Sequence, residues 1–263
     1  MREGWRHRWL FPFFAIKCVE KLYARTWLGV LWLPLRPGID LLLKVAVIGT
    51  LIDSPSPGVP YLLSALVGMA VWELFEQLAF WSTRALEINR GLLRTVHVAR
   101  LTVLTGALGP AGVFFAIYVA VTGVAAGYFV IVDGTTHFAL GVETLGAVAG
   151  IVVAALLGLS VGLFLAPIAV QARDVRFVLA YVLGLWFFLT PVLYPVESLR
   201  GLLATAVTFN PMTAPVGMVK AGLLGTPFPG LSSMLVCVGT LALVIPAGLV
   251  FFGRSENAAM DSM

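Results

Sequence analysis

The sequence contains little charge. Asp, Glu, Lys and Arg make up 11% of the 263 residues, 60% are hydrophobic, and the mean hydropathy is +0.98. A soluble domain is about half apolar and one quarter charged, so its interior would not hold this much apolar surface. The composition therefore excludes a soluble globular protein and predicts an all-α polytopic membrane protein.

Cysteine and histidine are also scarce, and both are scattered. Cys18 and Cys237 lie in unlike surroundings, which predicts neither a disulfide framework nor a metal site. His7, His97 and His137 fall on a tail and on two opposite loops, so they do not form a cluster. The sequence shows no catalytic constellation, and we expect no enzyme activity, no metal and no cofactor on this chain.

The sequence also lacks a phosphate-binding loop of the form G-x-x-x-x-G-K-[ST]. If the protein uses ATP, a separate polypeptide must hydrolyse it. The formal charge of +4 and the pI of about 9.3 do not indicate nucleic-acid binding. In a membrane protein, an excess of Lys and Arg is typical of cytoplasmic loops.

Six apolar stretches are long enough to cross a bilayer, which takes about 20 residues. They are residues 27–52, 60–82, 103–132, 141–170, 177–196 and 231–252. An even number places both termini on one side. The segments on that side carry six, four, two and one Lys or Arg residues, whereas the other side carries Arg200 and Lys220. This bias predicts that both termini are cytoplasmic.

Two further segments are apolar but do not cross. Residues 4–24 have aromatic and basic residues on different helical faces, which predicts an interfacial amphipathic helix; the alternative is a frayed basic tail. Residues 198–228 are broken at Asn210–Pro211 into pieces too short to span. We expect two re-entrant helices entering from the outer face, and the alternative is an external loop of amphipathic helices.

The first two spans contain charged residues, which are costly at membrane depth. Arg36, Asp40 and Lys44 follow one another at intervals of four and share one helix face. Glu73 and Glu76 lie in the second span, and Glu73 is about as deep as Arg36, so we expect these two to pair. The charged face either borders a water-accessible path or subunit interface, or it only fixes helix register.

Three segments together resemble one family. They are "YARTWLGVLWLPLRPGID" at the start of the first span, "RDVRFVLAYVLGLWFFLTPVLYP" around the fifth, and "NPMTAPVGMVKAGLLG" at the second re-entrant helix. In order and spacing they resemble polysaccharide-export permeases of the ABC type-2 class. The residues of the first segment that carry the resemblance are Arg25, Leu28, Gly29, Leu31, Trp32 and Pro37.

This resemblance implies a half-transporter in the bacterial inner membrane. Two copies would form a homodimer, and two copies of a separate ABC ATPase would bind ATP and Mg²⁺ beneath it. The implied substrate is an undecaprenyl-linked glycan such as O-antigen, teichoic acid or capsule, and membrane lipids would surround the dimer. The alternatives are an exporter of a drug or small lipid, and a membrane enzyme or assembly factor that does not transport.

The resemblance also implies a coupling helix over residues 83–98, which would dock into the ATPase. Charged and apolar side chains alternate there at helical spacing, although a solvated loop helix has the same pattern. The coupling residues that we expect are Arg84, Glu87, Arg90, Leu93 and Arg94.

A transport path for sugars needs aromatic faces and scattered polar groups, and spans one and five supply both. The candidates are Trp32, Arg36, Tyr181, Trp186, Phe187, Phe188 and Tyr194. The alternative is that these aromatics face lipid. Basic residues at the cytoplasmic entry would bind a pyrophosphate headgroup, and those that we expect to do so, besides Arg36, are Lys17, Lys21 and Arg25.

Overall fold

The computed structural model describes residues 10–23, 27–49, 59–95, 100–139 and 141–261. These residues form α-helices, with no β-strand among them, which confirms the predicted all-α fold. The helices are α1 (Leu10–Tyr23), α2 (Trp32–Gly49), α3 (Tyr61–Ile88), α4 (Arg90–Thr95), α5 (Arg100–Leu104), α6 (Leu108–Asp133), α7 (Thr144–Gln171), α8 (Val175–Leu189), α9 (Leu202–Thr208), α10 (Thr213–Leu224) and α11 (Leu231–Asp261).

Several helices have the length and apolarity of a membrane span. Within the described residues four qualify, namely α3, α5 joined to α6, α7, and α11; the bent pair α9–α10 makes a possible fifth. Helix α8 has 15 residues, and α2 has 18 residues and carries three charges. The count of six spans and their orientation therefore stay predictions. Residues 50–52 of the predicted first span lie outside the described residues.

Two helix ends differ from the predicted ones. The second span continues as a helix to Ile88 rather than ending at residue 82. The fifth ends at Leu189 rather than at residue 196, because Thr190 is extended, with φ −97° and ψ 133°. The following Pro191 explains this, since the proline ring clashes with a helical conformation of the residue before it.

The predicted coupling helix at 83–98 is not one helix. Its first part is the end of α3, which stops at Asn89, and α4 then begins at Arg90. Residues 96–98 lie outside the described residues. The described part of the segment, residues 83–95, is therefore a helix end followed by one short separate helix.

Helix α3 is the centre of the molecule and packs against α6, α7, α8 and α10. Almost every side chain from Leu63 to Leu86 is buried, including Trp72 and Phe75. Most of the surface of this helix is apolar, and the other helices cover it.

Helix α7 approaches α3 closely because glycines lie at the contact. A Cβ atom on Gly158 would lie 2.7 Å from the Cβ of Leu78, and one on Gly162 would overlap the side chain of Ser82. Small residues at a spacing of four allow this close approach of two membrane helices. Gly123 and Gly127 on α6 have the same spacing, but no other atom lies within 4 Å of a Cβ built there.

Helices α9 and α10 form the bent pair that precedes α11. Their axes differ by 81°, and the break between Thr208 and Thr213 contains the predicted Asn210–Pro211 junction. The position of the break is therefore confirmed. Entry of the pair into the membrane from the outer face stays a prediction.

Helix α1 packs on the start of α6. Phe14 and Cys18 are fully buried, and backbone atoms of α1 approach Gly109, where a Cβ would lie 2.5 Å from the carbonyl oxygen of Ala15. Phe13 and Ile16 are exposed on the other side. An exposed apolar face is what an interfacial helix needs. Residues 4–9 and 24 of the predicted helix lie outside the described residues.

Candidate functional site

A cavity of about 540 Å³ lies between α2, α3, α6 and α8, and we call it the charged cavity. It brings together four of the five charged residues predicted in spans one and two, and three of the aromatic residues predicted for a path. Its lining consists of Trp32, Pro37, Ile39, Asp40, Leu43, Lys44, Glu73, Glu76, Gln77, Phe114, Gly184, Phe187 and Phe188.

On the α2 side of the charged cavity, Asp40 and Lys44 form an ion pair with Nζ to Oδ2 at 2.6 Å. The Lys44 ammonium also lies 4.0 Å from the centre of the Phe187 ring, a cation–π contact with α8. Pairing along the predicted charged face is thus present between Asp40 and Lys44. The side chain of Arg36 lies outside the described residues, so its pairing with Glu73 stays a prediction.

On the α3 side, carboxyl groups are held by residues one helical turn away. Trp72 donates its indole N–H to Glu76 at 2.7 Å, and Gln77 donates to Glu73 at 2.7 Å. Trp81 in turn donates to the amide oxygen of Gln77 at 2.9 Å. The spacing of four residues places each partner directly above the other. These bonds fix the carboxyl groups at the cavity wall.

The charged cavity combines polar groups with aromatic walls. Its described residues supply three carboxyl groups and one ammonium, and no group of His, Cys, Asp or Glu in the described part of the chain could hold a metal ion. Charged side chains at membrane depth require water or partners. The arrangement suits the passage or retention of a hydrated, hydroxyl-rich molecule better than catalysis of a reaction on such a molecule.

The aromatic residues predicted on α8 divide between two faces. Tyr181 and Phe188 are 78% and 61% exposed. Phe187 is buried against Trp72, with ring centres 5.6 Å apart, and Trp186 lies 5.2 Å from the ring of Phe75. Trp186 and Phe187 therefore attach α8 to α3. Tyr181 is exposed, and Phe188 is exposed in part but also lines the charged cavity.

The end of α8 is held by Asn210, at the break between α9 and α10. The Asn210 side chain accepts hydrogen bonds from Trp186 Nε1 and from the backbone N–H of Met212, both at 2.9 Å. Its amide donates to the carbonyl of Leu189 at 3.1 Å and to Thr190 Oγ1 at 2.8 Å. One buried side chain thus links α8 to the bent pair.

Beyond Asn210, Tyr194 and Lys220 also contact this end of α8. The Tyr194 hydroxyl donates to the carbonyl of Phe188 at 2.9 Å, which folds the chain back on the helix end. Lys220 on α10 is buried and donates to the carbonyls of Pro191 and Val192 at 3.1 and 2.7 Å. The turn after α8 is therefore held by three side chains.

At the opposite end of α3, Glu87 lies between two arginines. Its Oε1 is 3.3 Å from Arg176 Nη1 on α8, and its Oε2 is 3.7 Å from Arg84 Nε. The Arg84 guanidinium lies 5.4 Å from the centre of the Phe80 ring. Glu87, one of the predicted coupling residues, therefore joins α3 to the start of α8, and Arg84, another, contacts Glu87 within α3.

We expect the Glu87–Arg176 ion pair to contribute modestly to stability. Both side chains are about 30% exposed, and such pairs contribute about 0.2–1 kcal/mol. A double-mutant cycle with Glu87→Gln and Arg176→Gln, measured by unfolding in SDS micelles, should give a coupling free energy in this range. Strict additivity of the two changes would contradict the pairing.

The other predicted coupling residues lie on α4. Leu93 is buried together with Phe14, Leu86 and Val103, so the prediction that it contacts another protein is corrected: it packs inside the chain. Arg90 is half-buried, and the side chain of Arg94 lies outside the described residues.

The predicted headgroup residues are described in part. Lys17 lies on α1, with its ammonium 5.9 Å from the centre of the Phe13 ring. The side chain of Lys21 and all of Arg25 lie outside the described residues. Their binding of a lipid headgroup therefore stays a prediction.

Sequence reasoning missed the roles of Lys220, Arg176 and Gln77. Lys220 interrupts the apolar sequence of α10, and this isolated charge could have indicated that its side chain has a specific contact. Gln77 follows Glu73 by four residues, which also indicates a bond. Nothing in the sequence pairs Arg176 with Glu87, because the two are 89 residues apart.

Residues 18–224 match the ABC-2 type transporter family, and the chain belongs to this family. It is similar to the O-antigen export system permease protein RfbA of Myxococcus xanthus, with 24% identity covering 98% of this chain and 97% of that protein. It is also similar to the polysialic acid transport protein KpsM of Escherichia coli, with 23% identity covering 93% of this chain and 92% of the relative. The predicted family is thus confirmed: the chain is a membrane-protein subunit of an ABC transporter, and the family implies a partner ATPase.

Proposed function

We propose that the chain is the permease subunit of an ATP-driven exporter of lipid-linked polysaccharide in the bacterial inner membrane. The charged cavity carries this proposal, because it combines fixed carboxyl groups with the aromatic side chains of Trp32, Phe187 and Phe188 at membrane depth. Hydroxyl-rich sugars bind to such surfaces by stacking and by many weak hydrogen bonds. Relatives named for O-antigen export and polysialic acid transport support the same substrate class.

A homodimer completes the proposed transporter. Tyr181 and Phe188 are exposed on α8, Trp32 is exposed at the start of α2, and Trp27 is exposed just before α2. Both helices border the charged cavity, so a second copy facing them would enclose an aromatic path between the subunits. Both termini and α4 would lie on the cytoplasmic side, where two ATPase subunits bind ATP and Mg²⁺.

Deletion of the gene tests this function. We expect an undecaprenyl-linked polymer to accumulate inside the cell and to disappear from the surface, because synthesis continues without export. Extraction of lipid-linked glycans, with mass analysis of the sugar chain, gives the measurement. Normal surface polymer in the deletion strain would contradict the proposal, and accumulation of a drug or small lipid instead would favour a different cargo.

The contact with the ATPase is proposed to involve the polar side of α4. Replacing Arg90 and Arg94 with Glu should lower the ATPase that co-purifies with the permease by roughly tenfold, since reversed charges disfavour the same partner surface. Arg254→Glu, also on the side predicted to be cytoplasmic, is the control and should change little. Unchanged association of the double variant would exclude this surface.

The entry of the lipid headgroup is proposed to use Lys17, Lys21, Arg25 and Arg36. Each cation near a membrane surface attracts an anionic headgroup by about 1 kcal/mol. Changing all four to Gln should therefore lower the export rate by roughly tenfold or more, measured as surface polymer after induction. Arg200→Gln, on the predicted outer side, is the control. Export at the wild-type rate in the fourfold variant would exclude this role.

A further inference from the structure

The chain leaves α8 at Leu189 and continues as a turn of residues 190–193, which we call the α8 turn. All four residues of this turn are buried, and Val192 is 1% exposed. Non-helical backbone at membrane depth is tolerated where protein buries it and where its N–H and C=O groups find partners. The α8 turn therefore depends on hydrogen bonds from other elements.

Lys220 on α10 supplies two of those hydrogen bonds. Its ammonium donates to the carbonyl of Pro191 at 3.1 Å and to that of Val192 at 2.7 Å. The two carbonyls come shortly after the C-terminal end of α8, and such an end has a partial negative charge that attracts cations. These contacts compensate the charge of a lysine that is 9% exposed, and they tie the α8 turn to α10.

Helix α3 leaves room for this contact at Gly68. A Cβ atom there would lie 2.8 Å from Lys220 Cε and 2.8 Å from the carbonyl oxygen of Val192. Both distances are shorter than a Cβ atom tolerates, so any larger residue would displace the lysine, the α8 turn or both. Three elements, namely α3, α10 and the α8 turn, therefore meet at one point, and Lys220 joins them.

The meeting point lies between two cavities along α3. A small cavity of about 120 Å³ borders Ser64 near the start of α3 and also borders Lys220, and we call it the Lys220 cavity. The charged cavity borders Glu73, which is about 13 Å further along the helix by helical rise. Gly68 lies between Ser64 and Glu73 in the same helix. The contact at Gly68 is therefore at a level between the two cavities.

The two cavities have the same order along the chain after α3. Phe187 and Phe188 at the end of α8 line the charged cavity, whereas Pro191 and Tyr194 line the Lys220 cavity. Val192, in the α8 turn, packs into the core that contains much of α3. Among the described residues, none lines both cavities. The α8 turn therefore occupies the space between them.

We propose that the α8 turn is the barrier that closes the transport path between the charged cavity and the Lys220 cavity, and that Lys220 is the positioning residue that holds this barrier. This proposal rests on the proposed function. A hydrated cargo in the charged cavity cannot pass the level of Gly68 while the buried side chains of the α8 turn pack against α3. Opening requires the Lys220 ammonium to release the carbonyls of Pro191 and Val192.

Passive leakage through the full-length protein tests the barrier. The protein is reconstituted without ATP into vesicles of phosphatidylethanolamine and phosphatidylglycerol loaded with radiolabelled sucrose, and the rate of sucrose release is measured. Lys220→Met keeps the length of the side chain and removes both hydrogen bonds from a charged donor. We expect the release rate to rise by roughly tenfold or more, because such bonds are strong. Release at the wild-type rate from a folded, monodisperse Lys220→Met protein would overturn the proposal.

Gly68→Ala tests the same contact while the lysine is kept, and it decides the question if Lys220→Met does not fold. The added Cβ displaces Lys220 or the α8 turn, so sucrose release should rise, and combining the two changes should give no more than the larger single effect. Gly123→Ala on α6 is the matched control. No other atom lies within 4 Å of its added Cβ, so it should release sucrose at the wild-type rate. Effects of Gly68→Ala and Lys220→Met that multiply would contradict a shared contact.

Asn89→Ala separates positioning of the barrier from a general loss of stability. Asn89 is fully buried at the other end of α3, where its side chain donates to the carbonyl of Ala85 in the same helix. We expect Asn89→Ala to lower the unfolding temperature while sucrose release stays at the wild-type rate. Release as fast as that from Lys220→Met would show that any loosening of the fold opens a leak, and it would overturn the proposal.

Two outcomes separate this proposal from the proposed function. Wild-type rates of sucrose release in both Lys220→Met and Gly68→Ala, with export of the polymer intact in cells, would contradict the barrier alone. A deletion strain with normal surface polymer would contradict the export function, whatever the vesicles release.

Discussion

Asn210→Ala is expected to abolish export and to lower the free energy of unfolding by about 2–4 kcal/mol. The amide of Asn210 makes four hydrogen bonds while it is 97% buried, and they include the indole of Trp186 and the backbone of Met212. Removing it leaves those groups unpartnered, at about 0.6–1.5 kcal/mol each in a membrane protein. Thermal unfolding in detergent and surface polymer in cells provide the two measurements.

Two further variants make the Asn210 experiment specific. Asn210→Asp keeps the acceptor oxygen but loses the donor to Leu189 and Thr190, so we expect an intermediate loss of stability. Asn89→Ala removes another fully buried asparagine whose side chain donates to the carbonyl of Ala85 in its own helix. It should cost about 1 kcal/mol. Equal losses in the Asn89 and Asn210 alanine variants would contradict a special role for the junction.

Gly162→Ala is expected to lower the free energy of unfolding by about 2–3 kcal/mol. The added Cβ would overlap the side chain of Ser82 and lie 3.0 Å from its backbone carbonyl carbon, so α7 must move away from α3. Overpacking of this kind typically costs about 1–3 kcal/mol. Unfolding in SDS micelles and the yield of monodisperse protein after gel filtration measure the effect.

The control for Gly162 is a glycine in the same sequence pattern on another helix. Gly123→Ala on α6 adds a Cβ with no other atom within 4 Å. Alanine favours the helix over glycine by about 1 kcal/mol, so this variant should be as stable as the wild type or slightly more so. An equal loss of stability in the Gly123 and Gly162 variants would contradict a specific close contact at Gly162.

These two glycines show how far the sequence predicts the fold. The spacing of small residues indicates that a helix can pack closely, but it does not say against which neighbour. Gly158 and Gly162 pack closely against α3 because Leu78 and Ser82 of that helix lie opposite them. Hydropathy alone predicted most of the helices, since the bilayer demands long apolar segments.

The candidate site was predicted in part for a similar reason. Asp40 and Lys44 are one helical turn apart, so their pairing follows from local geometry, and it is present. The contact of Lys44 with Phe187 joins helices that are distant in sequence, and the burial of Leu93 depends on α1 and α5. Contacts of this kind depend on the tertiary arrangement, which helical periodicity does not encode.

The close glycine contacts of α7 have a consequence for movement during transport. Where two helix backbones are in direct contact, no side chains lie between them that could let the helices slide past each other. We therefore expect α3, α7 and α10 to move as one rigid unit. Helix α8 is joined to that block by aromatic rings, one ion pair and the Asn210 amide, contacts that can be broken singly. We therefore expect that any widening of the charged cavity displaces α8 relative to α3, α7 and α10.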